Sequence, residues 1–374
     1  MKRARRVLIV TPVFTHPPNQ GNAARILAFG RELKARGIIV DVFHYCLDFV
    51  TAEGDAAMRR EWNAVYSMGA RAHASQRYPG WWGLDDWCPD EVCEAVSRLC
   101  REVGYDAVVT NYVWMSRCLL GVEGSLRIID THDLFGDRHR ISLENGLEPN
   151  WFFTSRVQES LGFDRADLVI GIQAGETAEI AQRTKVRAVT IGHPMSAWFL
   201  THPDSTVKAS AFGYFGSANP WNVRSVKAFD EALARAEQDC DWAIAGTICE
   251  APLELRTNPF RFGRVSAPED FYRHVDCCIN PMSGGTGLKI KTVEAMAYGR
   301  PVIGSRDAFA GLGASHWLHD LATVDDLALA VGEYAASESL RAELLIATRR
   351  LFARYSASTR QQFDLLAAII AKQA

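Results

Sequence analysis

At 374 residues the chain has room for two domains, and 48% hydrophobic with 23% charged residues supplies two apolar cores, which excludes disorder and a small disulfide-stapled fold. A net charge of -3 lacks the strong basic stripe of a nucleic-acid reader, so no nucleic acid is expected as a partner. The nine cysteines show no C-x-x-C pair and no zinc-like spacing with histidine; they read as reduced thiols of a cytoplasmic protein, with no metal expected.

The basic start MKRARR runs into VLIVTPVF, which breaks at Thr11-Pro12 without a small-residue cleavage site, so Val7 to Val10 reads as a first buried strand. No stretch approaches the roughly 20 apolar residues of a membrane span, and any membrane contact is expected to be peripheral. Short apolar runs then alternate with stretches of helical period, the pattern of βα units around a parallel sheet. Further strands are expected at Ile38 to Phe43, Ala107 to Thr110, Arg127 to Asp130, Leu168 to Ile172 and Ala188 to Ile191. Helices are expected at Ala23 to Arg36, Asp90 to Val103, Asn150 to Phe163 and Thr177 to Arg183. Between Arg77 and Cys93 the segment RYPGWWGLDDWCPDEVC concentrates Trp81, Trp82 and Trp87, which read either as a sugar- or lipid-facing loop or as a local cover on the first core. The rhythm lapses from Met195 to Ser210, where a linker is placed. It restarts with strands at Phe212 to Phe215, Trp242 to Ala245, Cys277 to Asn280 and Pro301 to Ile303, and helices near Asn222 to Ala236, Pro268 to His274 and Leu288 to Tyr298. The fold class is α/β, with Rossmann-like domains at 1–198 and 199–355 and an amphipathic helix in 356–374 that packs back on the first domain.

The segment from Asn280 to Pro301, NPMSGGTGLKIKTVEAMAYGRP, carries the strongest signal. A strand ends at Asn280-Pro281, glycines 284, 285 and 287 make a flexible turn, and a helix opens near Leu288 and closes at Gly299. Glycines ahead of a helix let backbone N–H groups and the positive helix end approach an anion the size of a phosphate. At ~100° per residue, Gly287, Lys291, Glu294 and Tyr298 share one side of that helix and Ile290, Val293 and Ala297 another. Glu294 suits a ribose diol, and Lys289 and Lys291 supply positive charge. A plain surface helix with a Lys291–Glu294 pair explains the same pattern.

That segment resembles the C-terminal signature of the retaining glycosyltransferase family that includes sucrose synthase and bacterial polysaccharide and lipid glycosyltransferases. The resemblance extends to RVLIVTPVFTHPPNQGNAARILAFGRELKARGIIVDVF, to FDRADLVIGIQAGETAEI, to FGYFGSANPWNVRSVKAF and to FGRVSAPEDFYRHVDCCINP. It implies the GT-B arrangement, two facing Rossmann-like domains with the nucleotide-sugar site in the cleft between them. Donor contacts then fall on Gly21, Gly216, Arg264, Val265, Gly285, Thr286, Gly287, Leu288, Lys291 and Glu294, with the base near Arg264-Val265 and the ribose on Glu294. Of the family's glutamate pair, the first falls on Thr286, and the common basic pair falls on Ser217 and Asn222, so Lys289, Lys291 and Arg224 are expected to neutralise the phosphates.

In the first domain, RIIDTHDLFGDRHR places Asp130 to Asp133 just past a strand, where ligands meet open α/β sheets. His132 matches the family histidine near the transferred sugar or acceptor; Asp133 serves as base should configuration invert, and Lys289 completes the catalytic set. Alternatively Asp130 or Asp133 merely caps the next segment. His193-Pro194 reads as a hinge. The expected activity is metal-independent, retaining transfer of a sugar from a UDP- or GDP-type donor, used as co-substrate with no cofactor. The acceptor is a hydroxyl of a glycan, a lipid-linked glycan or a small molecule. Two alternatives are a sugar-nucleotide epimerase of the same architecture and a non-catalytic nucleotide-sugar binding protein. A nicotinamide oxidoreductase is disfavoured because TPVFTHPPNQGN lacks G-x-G-x-x-G.

Overall fold

The computed structural model describes residues 3–47, 50–70, 75–200 and 210–372. It forms two units, Met1–Pro194 with Thr359–Ala374, and Met195–Ser358.

The first unit runs β1 (Arg6–Thr11), α1 (Gly21–Ala35), β2 (Ile39–Cys46), α2 (Ala52–Glu61), β3 (Ala64–Gly69), α3 (Asp90–Val103) and β4 (Ala107–Asn111). A 3-10 helix (Val113–Gly121) then leads to β5 (Leu126–Asp130), α4 (Arg138–Glu144), α5 (Arg156–Phe163), β6 (Leu168–Gly171), α6 (Ala174–Arg183) and β7 (Arg187–Thr190). Its seven strands lie in the order β3-β2-β1-β4-β5-β6-β7, all parallel. Val7 to Val10 are fully buried, as continuous apolar strands are when helices cover both faces of a sheet. Strand order reverses between β1 and β4, so the segments that follow these two strands diverge and leave room above their carboxyl ends.

The second unit runs β8 (Ser210–Phe215), α7 (Pro220–Arg235), β9 (Trp242–Ala245), β10 (Phe260–Gly263), α8 (Pro268–Tyr272), β11 (Val275–Asn280), α9 (Ile290–Ala297), β12 (Val302–Gly304) and α10 (Val324–Ala336). Its sheet is parallel in the order β10-β9-β8-β11-β12, reversing between β8 and β11. The glycine loop after β11 and the turn after β8 therefore meet at the switch point. The last helix, α11 (Glu338–Ala371), contributes its residues up to Ser358 to the second unit and those from Thr359 to the first.

Several boundaries differ from the sequence reading, each for a local reason. The helix expected from Asn150 begins at Arg156, because the Ser155 hydroxyl caps it by accepting from the Gln158 N–H at 3.2 Å and Trp151 upstream sits at φ +63°. The terminal helix starts at Glu338, since no Gly or Pro interrupts the chain from there onward. The elements α2, β3, α4, β10 and α10 have no counterpart in the sequence pattern: β3 and β10 are half-exposed edge strands without a clean alternation. Of the expected linker, residues 201–209 lie outside the described residues, and Trp198 and Leu200 are held by N–H bonds to the Ala297 and Tyr298 carbonyls at 2.7 and 3.1 Å. Trp82 and Trp87 pack against the first core, and Trp87 meets Trp82, Trp114, Trp151 and Phe152 edge-on, which is the covering role. Among the described residues no helix is long and apolar enough to cross a membrane.

In α11, Phe363, Leu366 and Ile370 are fully buried in the first core, and the Phe363 ring meets Phe29 edge-on at 5.3 Å. Replacing Phe363 by Ala removes an aromatic from a closed core and is expected to cost about 3–5 kcal/mol. In chemical denaturation of the full chain this reads as an earlier transition; an unchanged midpoint would show that the helix end is dispensable to the first core.

Candidate functional site

The loop Pro281 to Lys289 is built by its own backbone. Gly284, Gly285 and Gly287 stand at φ +76°, +77° and +77°, a region that side-chain-bearing residues rarely adopt. At Gly284 a Cβ would lie 2.6 Å from the Trp221 ring of α7, so the indole is the floor against which the loop folds. The Gly284 N–H donates to Asp307 Oδ2 at 2.6 Å and the Ser283 N–H to Ser225 Oγ at 3.2 Å, which anchors the loop's entrance. Its base is tied by Asn280 Nδ2 donating to Thr292 Oγ1 at 2.8 Å.

Lys289 decides which way the loop faces. Its buried ammonium donates back to the carbonyls of Thr286 and Gly287, both at 3.0 Å, and approaches that of Gly285 at 3.5 Å. In a trans peptide the N–H points opposite to the C=O. Carbonyls aimed at Lys289 therefore turn the N–H groups of Thr286, Gly287 and Leu288 the other way, and none of these donates to a partner among the described residues. Consecutive N–H groups where left-handed glycines alternate with ordinary backbone, followed closely by a helix start, form an anion-binding concavity. Lys289, expected to supply positive charge to the phosphates, thus also acts as the loop's internal strut.

The second lysine supplies charge by a route the sequence did not show. Lys291 Nζ donates to the Tyr214 hydroxyl at 2.7 Å and to Asn222 Oδ1, and lies 4.8 Å from the centre of the Tyr214 ring. Asn222 is the position at which the resemblance called for a basic residue, so a cation from α9 reaches across to the spot that α7 leaves neutral. Burial, with the Lys289 charge behind it, pushes the Lys291 ammonium down to about 7. No ion pair joins Lys291 to Glu294.

Glu294, one turn on, is drawn inward. Burial pushes its carboxyl up to about 7 against the opposing hydrogen bond from Tyr272, and Glu269 adds to the rise. Its Oε1 is buried and accepts no hydrogen bond among the described residues, an unmet capacity that suits a hydroxyl donor. Tyr272 is itself buried and stacks on Tyr298 at 4.7 Å, fixing the carboxylate's neighbour.

Other expected donor residues are spread more widely. Gly216 follows β8, and a Cβ there would lie 2.7 Å from the Tyr214 hydroxyl, so glycine keeps that turn close to the Lys291 cluster. Arg264 is exposed and ion-paired with exposed Glu250, its Nη2 donating to Oε2 at 2.9 Å, with Val265 beside it. Arg224 stacks over Trp221 at 5.8 Å. Thr286 joins the loop through its carbonyl. Tyr214, Trp221, Tyr272 and Asp307 were missed: they lie outside the glycine segment, and no spacing in the sequence ties them to it.

The first unit carries a second cluster, at the carboxyl ends of β1, β4 and β5. Arg25 and Asp130, both fully buried, form a forked pair, with Nη2 2.6 Å from Oδ1 and Nε 3.1 Å from Oδ2. Arg25 also donates to the carbonyls of Ile191 and Gly192 at 3.0 and 3.2 Å. Although burial opposes it, the Arg25 charge holds the Asp130 carboxyl well below its usual range. His132, at φ +60°, places Nε2 3.2 Å from Asp130 Oδ2 without the alignment of a hydrogen bond. Its ring lies 4.5 Å from that of Tyr112, also at positive φ (+70°). Two such residues at the ends of adjacent strands are strained backbone of the kind that collects at functional sites. Burial pushes His132 down despite Asp130, so the ring is neutral near pH 7. His193, read as a hinge, belongs here: burial, Arg25 and His132 push it down to about 3.

Asp133 does not join that cluster's core. Its Oδ1 accepts from the Leu134 N–H at 2.9 Å and its Oδ2 lies 3.3 Å from Arg138, so both oxygens are engaged locally. Gly21 is the exposed first residue of α1. Arg25 had a signal that went unread: a charge on the helix face shared with Ala23, Ile26 and Phe29 demands a buried partner.

Residues 209–336 match the family model described as Glycosyl transferases group 1, which spans the sheet and glycine loop of the second unit. No curated protein matches the chain. Among solved structures, sucrose-phosphate synthase from Thermosynechococcus elongatus is similar over 98% of this chain and 100% of its own, with TM-score 0.69 and 17% identity. Anabaena HepE in complex with UDP-glucose covers 97% and 99%, with TM-score 0.68 and 13% identity. S. aureus TarM in complex with Fondaparinux, alpha-GlcNAc-glycerol and UDP covers 97% and 99%, with TM-score 0.68 and 10% identity. The fold is that of the GT-B glycosyltransferases. The second unit carries a glycosyl transferases group 1 domain, and the chain is a glycosyltransferase.

Two outcomes follow from the glycine loop and its carboxylate. Gly284→Ala places a methyl into the Trp221 ring on a left-handed backbone and is expected to abolish anion binding by the second unit while the far-ultraviolet spectrum is kept; retained binding would show that the loop's shape is not required. A carboxyl raised from 4.5 to about 7 stabilises the folded chain fully below 4.5 and loses that contribution as pH rises through 7. The melting temperature of the wild type relative to Glu294→Gln should therefore fall between pH 5 and 8, a slope that a solvent-facing carboxylate would not produce.

Proposed function

We propose that the chain transfers a sugar from a nucleoside-diphosphate sugar of UDP or GDP type to a hydroxyl of a glycan, lipid-linked glycan or small-molecule acceptor, with retention and without a metal. The observation that carries this reading is the row of N–H groups from Thr286 to Leu288, turned outward by Lys289 and flanked by a buried, incompletely bonded Glu294 oxygen. A diphosphate on the N–H row and a ribose diol on Glu294 account for both at once. The Anabaena neighbour's complex with UDP-glucose agrees with a donor of that class.

As the bond to the diphosphate breaks, negative charge grows on the leaving oxygens. Fixed N–H dipoles and the start of α9 stabilise that charge without reorganising, and Lys291 takes up a proton more readily as the anion forms beside it. This does for the leaving group what a divalent cation does elsewhere. In the first unit His132, neutral and braced by Asp130, offers a ring N–H or lone pair to a sugar hydroxyl. Asp130, kept ionised by Arg25, holds the imidazole's orientation. A cytoplasmic setting, where such donors are made, agrees with cysteines that are all free.

The test is a melting-temperature screen against UDP, GDP, ADP, CMP and dTDP sugars; a ligand at 100 times its Kd stabilises by about 2.7 kcal/mol. A UDP or GDP compound should raise the melt, and Glu294→Ala should weaken that affinity at least tenfold. His132→Ala should leave binding intact while lowering turnover about 100-fold, the lower range for a positioned proton-transfer group. A flat response to every nucleotide would overturn the reading, and equal losses of binding in both variants would overturn the division of roles.

A further inference from the structure

The first unit contains a group of side chains that sugar transfer does not use. Cys88, just ahead of α3, Cys93, in its first turn, and Cys118, in the 3-10 helix Val113–Gly121, bring their sulfurs together. The Sγ separations are 3.5 Å for Cys88–Cys118, 3.7 Å for Cys88–Cys93 and 3.9 Å for Cys93–Cys118. Among the described residues, this is the one gathering of His, Cys, Asp or Glu with metal-ligand spacing. In the sequence the three are scattered, so no motif announces them.

We propose that Cys88, Cys93 and Cys118 form a zinc site that clamps the tryptophan-rich loop to the first core. Sulfurs about 2.3 Å from a tetrahedral zinc stand about 3.8 Å from one another, and the near-equilateral triangle already has that edge. A disulfide would draw only two of the three together and leave the third sulfur stranded. The ligand set is soft, which selects zinc or another d10 cation over magnesium or calcium.

Positive charge stands on the Cys93 side of the triangle. Cys93 sits at the positive end of α3, and Arg117 lies beside it, paired with Asp90 at 2.5 Å and reaching the Cys88 carbonyl at 3.4 Å. Three thiolates and a divalent cation leave one net negative charge, beside which stands the Arg117–Asp90 pair. On binding, the three thiols release their protons to solvent. Cys88 and Cys118 are fully buried while Cys93 is half-buried, so the ion enters from the Cys93 side and keeps a water in the fourth position.

The mechanical consequence is local. Trp87 precedes Cys88, and its ring contacts Trp114, Trp151 and Phe152. A metal bridging Cys88, Cys93 and Cys118 would staple this aromatic cluster to α3 and to the 3-10 helix, stabilising the folded unit by mass action.

The experiment uses the full chain, purified under reducing conditions and freed of metal with a chelator. Zinc uptake is measured by competition with a chromophoric chelator, and cadmium is added separately to read the ultraviolet thiolate-to-cadmium band. One zinc per chain is expected, with the cadmium band, a raised melting temperature and protection of Cys88, Cys93 and Cys118 from alkylation in mass-spectrometric mapping. Cys118→Ser should lower zinc affinity at least tenfold, while Cys278→Ser, in the second unit, should leave it unchanged. Should Cys118→Ser not fold, the alkylation map of the wild type with and without zinc decides the matter. No stoichiometric uptake, uptake without protection of these thiols, or a mapped disulfide between any two of them would overturn the proposal.

Discussion

A buried ammonium held by its own loop fixes the polarity of the second unit's site. Were Lys289 absent, the peptides between Gly285 and Leu288 would be free to present carbonyls or N–H groups to a ligand, and only the second choice attracts an anion. The three carbonyl contacts make that choice in advance. Glycine conformations, the Trp221 floor and the Asp307 anchor then serve to hold an orientation that the lysine has selected. An anchored loop carries little reorganisation cost when charge develops, which is the condition under which backbone dipoles work best.

The two units solve one problem in different ways: each must keep charge inside a parallel α/β framework, where a lone ion is costly. In the first, Arg25 and Asp130 neutralise each other in a forked pair with backbone carbonyls taking the remaining donors, and the strained His132 leans on the result. In the second, Lys291 and Glu294 are not paired with each other. Their partners are neutral hydroxyl and amide groups, so both remain poised near neutrality. The first arrangement is a brace, whereas the second leaves capacity unspent at the place where a ligand is expected.

Period and punctuation made the architecture readable. Continuous apolar strands such as Val7 to Val10, and the glycine terminator Gly299 in left-handed conformation, marked most of both sheets and the helix after the glycine loop. Edge strands escaped because half-exposed positions carry no strict pattern, and the long last helix was cut short because only its final turns are amphipathic against the first core. Of the site, the glycine loop and Glu294 could be seen because their residue types cluster within one short segment of loop and helix. Tyr214, Tyr272 and Trp221 could not, since they come from separate elements that meet only through the strand-order reversal between β8 and β11. The cysteine triangle stayed hidden for the same reason: Cys118 reaches its partners through packing of a 3-10 helix on α3.

On the proposed function, the poised pair also explains how a chain of net charge -3 would bind a doubly charged diphosphate. Without ligand, the Lys291 ammonium is destabilised by burial and by Lys289, and the Glu294 carboxylate by burial and Glu269. A diphosphate near Lys291 restores the ordinary preference for the charged amine. A diol donating to Glu294 restores that for the carboxylate. Each half of a nucleoside diphosphate thus relieves one of two separate penalties, and a ligand offering only one half relieves only one. On that proposal, selectivity for the whole nucleotide over free phosphate or free nucleoside would arise from two independent ionisations on a single short helix.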